Sequence, residues 1–133
     1  MLSRIRMLAA TTGLFVLLTG ASAGATCLAP TPPGTFPDGT TASLDEMKAG
    51  QKSVKDYVAQ ADAYEDCITA ETPKFDPKKQ MSDKEKAALQ ETQAAAQKKI
   101  DATDAEKAAV AERFNVQLRA YKAKLAAPAA PQN

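Results

Sequence analysis

The chain has 133 residues, with 17 basic and 16 acidic side chains, no histidine, no tryptophan and two cysteines. Without histidine there is no Ser-His-Asp or Cys-His arrangement, and the commonest general base and metal ligand are both missing. A charge balance this close to zero calls for neither nucleic acid nor an anionic membrane as partner.

Residues 1 to 25 have the three parts of an export signal. Arg4 and Arg6 form the positive end, "MLAATTGLFVLLTG" the apolar core, and "ASAGA" supplies small residues at Ala-x-Ala-like spacing. Gly13 and Gly20 interrupt the core, and no flanking charges follow, so the segment reads as a cleaved signal rather than a membrane span. Its removal takes two arginines and leaves 108 residues of net charge −1, one small domain at most. The remaining aromatics are Phe36, Phe75, Phe114, Tyr57, Tyr64 and Tyr121, few enough that the buried core must be thin.

Residues 26 to 42 form a leader. Pro30, Pro32, Pro33 and Pro37 fix φ and remove N–H donors, which favours extended polyproline-like structure. "PDG" at 37 to 39 signals a turn in which the glycine accepts positive φ.

A first helix is predicted over about 43 to 70. It opens at the capping box "SLDE", Ser43 to Glu46, and ends before Pro73. Met47, Val54, Tyr57, Val58, Ala61, Tyr64 and Ile68 recur at helical spacing and share one face. The linker 71 to 81 carries Pro73 and Pro77, and a second capping box, Ser82 to Glu85, opens a long helix to about 126. Its stripe is Leu89, Ala96, Ile100, Thr103, Val110, Phe114, Leu118, Tyr121 and Leu125, heptad-like and alanine-rich. A third capping pattern, Thr103 with Glu106, leaves open a break at 101–104 and hence a three-helix bundle; unbroken phase and the lack of Gly or Pro favour one helix. Residues 128 to 133 read as a disordered tail.

The fold class expected is therefore all-α: an antiparallel, coiled-coil-like helical hairpin behind an extended Pro-rich leader. At ~1.5 Å per residue the helices measure ~40 and ~65 Å, which leaves ~25 Å of the second unmatched. That overhang is expected to carry Val110, Phe114, Leu118 and Tyr121 as an exposed interaction stripe for another protein helix or a second copy of the chain.

Cys27 and Cys67 are the only cysteines, and in an exported chain an even, small number points to a disulfide. The sixteen residues from Cys27 to Ser43 span up to ~50 Å when extended, enough to run back along helix one to Cys67. Lipidation of Cys27, intermolecular pairing and free thiols are the alternatives; Gly24 and Thr26 depart from the Leu-Ala-Gly-Cys-like box that lipidation needs.

No constellation for chemistry stands out. The carboxylate pairs Asp62/Asp66 and Asp101/Asp104 read as solvated helix faces. Neither a calcium loop nor a Gly-rich phosphate loop is present, so no catalytic, metal or cofactor residues are assigned. Charge does separate. Residues 36–71 carry net −5 and residues 72–99 net +3, a contrast that mutual attraction across a hairpin accounts for. The alternative is a Lys-rich 74–99 surface for an anionic envelope ligand.

The stretch "CLAPTPPGTFPDGTTASLDEMKAGQKSVKDY", followed by "YEDC", resembles small uncharacterised exported proteins of proteobacteria that pair a Cys-x-x-Pro leader with a "PDG…AS…EM" helix start. The resemblance covers residues 27 to 67 and implies a periplasmic or secreted location. It transfers no activity. The function expected is that of a small non-enzymatic envelope protein with a structural or interaction role.

Overall fold

A computed structural model describes residues 27–127. The expected signal, residues 1–25, and the expected tail, residues 128–133, lie outside the described residues.

Two helices pack against each other. Helix α1 spans Leu44–Glu71 and helix α2 spans Asp83–Ala126. Both begin at full capping boxes. Ser43 Oγ accepts from the Glu46 N–H while Glu46 reaches back to the Ser43 N–H at 2.7 Å, and Ser82 with Glu85 repeats the pattern. These contacts satisfy amide donors that an α-helix start otherwise leaves unpaired. Helix α2 passes through Thr103 without a break, so the three-helix alternative does not form; Thr103 Oγ1 instead donates to the Lys99 carbonyl one turn back at 2.9 Å.

The register is antiparallel. Gly50 of α1 lies against Phe114 of α2, Asp62 and Glu65 against Lys107, and Pro73 against Gln93. Residues 83–92 of α2 therefore extend past the end of α1, by ~15 Å at the usual helical rise.

The leader is the third layer. It runs from Cys27, bonded to Cys67 near the end of α1, back to the start of α1. Phe36 meets Phe114 edge-on, with ring centroids 5.6 Å apart. The thickest part of the core is Ala42, Met47, Phe114 and Tyr121, with Phe36, Val54 and Leu118 packed on it. Tyr57, Ala61, Ile68 and Val110 continue the buried seam toward the linker.

This arrangement corrects the expected interaction stripe. Val110 is fully buried, Phe114 and Tyr121 are buried, and Leu118 is half-buried against them. The physical reason lies in the eleven residues joining the helices. They run alongside the first turns of α2 instead of turning tightly, so the excess length of α2 collects at the linker end, and the leader covers the end that carries the stripe. Only Leu125, at 65% exposure, stays outside.

Gly39 departs from its expected role as well. Its φ is not positive. It is a glycine because the leader crosses α2 there at backbone contact distance, and its N–H donates to Gln117 Oε1 at 3.0 Å. The turn itself is held by Asp38, whose side chain accepts from the Thr40 N–H and whose carbonyl accepts from the Thr41 and Ala42 N–H groups.

Candidate functional site

The described residues offer three places with chemistry: the disulfide, a lysine in the helix seam, and the projecting linker end.

Cys27 and Cys67 are joined, with Cα atoms 5.7 Å apart across a sequence separation of 40. A bonded Cys27 has no thiol left for a lipid. The Glu71 carboxylate lies close to both sulfurs, but a disulfide sulfur is not the thiolate that binds a metal. The bond closes the leader over the hairpin and fits a non-cytoplasmic location.

Lys107 occupies a seam position of α2, one turn after Thr103 and one before Val110. Its ammonium touches Asp62 at 2.9 Å and Glu65 at 2.9 Å across the interface, and Asp104 at 2.8 Å on its own helix. Only 17% of its side chain is exposed. Hydrogen bonds to Asp104, then Glu65, then Asp62 hold its pKa well above the ordinary lysine value. Three carboxylates around one ammonium make a closed electrostatic staple, and Glu65 Oε1 beside it is buried without a partner. Sequence reading passed over Lys107 because it followed the apolar positions on either side. The signal was present as a charged residue in phase with the stripe.

The carboxylate pairs stay ordinary. Asp62 belongs to the Lys107 staple, Asp101 accepts from Gln97 Nε2 at 2.8 Å, and all four members are exposed.

At the linker end the sequence arranges charge asymmetrically. Asp76 anchors a turn, its side chain accepting from the Lys78 N–H at 2.9 Å and its carbonyl from the Lys79 N–H at 3.1 Å. Glu85 is drawn into the Ser82 cap, whose hydrogen bonds hold its carboxyl below the usual range. Asp83 pairs with Lys86 at 3.4 Å. Three of the four acidic groups between 72 and 99 are thus engaged in starting the turn and the helix. Of the seven lysines in that stretch only Lys86 has an ion-pair partner among the described residues. Lys74, Lys78, Lys79, Lys84, Lys98 and Lys99 are exposed, and Phe75 beside them is 58% exposed. Among the described residues no ion pair joins 36–71 to 72–99: the α1 carboxylates that cross the interface meet Lys107, outside the 72–99 stretch.

Shallow clefts flank the leader where Pro30 rests beside Tyr64, and another lies between Thr72, Pro73 and Ile100. No described helix is long and apolar enough to cross a membrane. No family model matches the chain, and comparison with the curated proteins and with solved structures returns no match.

Proposed function

We propose that this is a small non-enzymatic protein of the bacterial envelope, exported and disulfide-stapled, that uses its projecting linker end to bind an anionic envelope component. The observation that supports this reading most directly is the set of six lysines between 74 and 99 that have no carboxylate partner among the described residues. Elsewhere among the described residues, salt bridges engage Lys48, Lys52, Lys107, Arg113 and Arg119. Four of the six, Lys74, Lys78, Lys79 and Lys84, lie on the projecting end, where long cationic side chains create a local positive field that net charge does not report.

An interaction role through residues 110–121 is set aside because those side chains form the core. A catalytic role draws no support from the sequence, which holds no histidine.

The reading is tested by binding of the disulfide-intact protein to a soluble anionic polymer such as polyphosphate across a salt series. Binding should weaken steeply with added salt, and Lys74→Gln/Lys78→Gln/Lys79→Gln should weaken it further. Binding that ignores salt, or is unchanged in the triple variant, contradicts the reading.

A further inference from the structure

The linker end is more than a cluster of charge. Phe75 is one of five large apolar side chains that stand largely exposed among the described residues, and it is the aromatic one, next to Lys74 and within four residues of Lys78 and Lys79 in sequence. It is also far from the core. Pro73 is level with Gln93, so Phe75 lies on the part of the molecule that runs out beyond α1. An aromatic ring costs free energy in water, and this one is 58% exposed among the described residues.

Two further features bear on what covers it. Pro73 and Pro77 bracket the ring and restrict φ on both sides, so little conformational freedom is lost when the loop is immobilised. The Asp76 turn bonds point back into the loop's own backbone, which leaves the Lys78 and Lys79 ammoniums free. An exposed ring with flexible ammoniums around it matches a surface that is apolar beneath and anionic above. A lipid bilayer has that layering: the ring enters below the headgroups while lysine stems lie along apolar material with their charges at the phosphates. A soluble polyanion satisfies the lysines but gives Phe75 nothing to bury against.

Resting on the proposed anionic reading, we infer that the linker end docks peripherally on an anionic phospholipid surface, with Phe75 as the inserted anchor and Lys74, Lys78 and Lys79 as the headgroup contacts. Phe75 belongs to the boundary between headgroup and acyl chain, and the helices stay outside the hydrocarbon.

The chain contains no tryptophan, so Phe75→Trp installs a single indole reporter at the anchor. The variant is mixed, with its disulfide intact, with vesicles of phosphatidylglycerol, vesicles of phosphatidylcholine, and soluble polyphosphate. The inference expects a blue-shifted emission quenched by brominated acyl chains with phosphatidylglycerol only. In wild-type co-sedimentation with the same vesicles, Phe75→Ala should weaken binding roughly tenfold. Lys74→Gln/Lys78→Gln/Lys79→Gln should weaken it roughly 100-fold. Vesicle binding without change in indole emission, or undiminished by Phe75→Ala, overturns the inference. Polyphosphate binding without phosphatidylglycerol binding overturns it too, and leaves the anionic reading in place. Loss of both overturns both.

Discussion

Gly39 of the leader and Gln117 of α2 meet backbone to backbone. The Gly39 N–H donates to Gln117 Oε1 at 3.0 Å, and a Cβ at residue 39 would collide with the Gln117 carbonyl oxygen and come within 2.7 Å of the Tyr121 nitrogen. Backbone atoms inside a helix cannot move aside as a side-chain tip can. Gly39→Ala should therefore destabilise by about 3 kcal/mol, in the range of overpacked cores. Gly34→Ala is the control: a Cβ there meets nothing within 4 Å, and the change should be neutral or slightly stabilising. Chemical denaturation of the two variants beside wild type checks the contrast.

Reduction of Cys27–Cys67 should lower stability by up to about 4 kcal/mol, the chain-entropy figure for a loop of this length. The loss concentrates in the leader. Its remaining attachments are at the far end, where Phe36 packs on Phe114 and Lys124 Nζ donates to the Ala42 carbonyl at 2.5 Å. Backbone NMR relaxation should show Leu28, Ala29 and Thr31 gaining mobility on reduction, while the hydrogen-bonded amides of residues 39–42 stay ordered.

Lys107→Met should destabilise clearly more than Lys86→Met. The first removes the cation shared by Asp62, Glu65 and Asp104 and leaves the largely buried Glu65 carboxylate unpaired; the second opens one exposed intrahelical pair. The raised pKa of Lys107 fixes the alkaline behaviour. Its stabilisation is complete below the ordinary lysine value of 10.5 and is lost only as pH rises through the higher folded-state value. Thermal unfolding followed from neutral pH toward 10 should show no loss traceable to this lysine.

Acid behaves oppositely. The Ser43 backbone and side-chain hydrogen bonds hold Glu46 low, those of Ser82 hold Glu85 low, and Thr40 holds Asp38 low. Groups with depressed folded-state pKa values contribute fully above their ordinary values, near 4.5 for the two glutamates, and lose that contribution as pH falls through the folded values. The unfolding midpoint should drop in that acid range, and Glu46→Gln/Glu85→Gln should flatten the slope. Ser82→Ala, which removes the side-chain acceptor of the second cap, should cost about 1 kcal/mol at neutral pH.

The helices were legible because signals of different kinds agreed: two capping boxes, prolines just past the first helix, and apolar residues in phase along both. The disulfide was legible from count and reach. What local pattern could not supply was where α2's excess length falls. Phe114 and Tyr121 look alike in sequence whether they protrude or are covered, and the decision was made by an eleven-residue linker that runs along α2 and by a leader that folds over the other end. Gly39 was read as a turn glycine because close approach to Gln117, 78 residues away, leaves no trace in its neighbours. Lys107 and Phe75 were missed for opposite reasons. One is a charge in an apolar stripe and the other an apolar ring among charges, and each stands out only when its surroundings are known.

The account's central claim is that the projecting linker end, rather than the 110–121 stripe, is the interacting surface. The most direct measurement is an amide NMR titration of the disulfide-intact protein with polyphosphate. The account predicts shift changes gathered over residues 73–99 and absent from Val110, Phe114 and Tyr121. Changes centred on those three residues, or none anywhere, would contradict it.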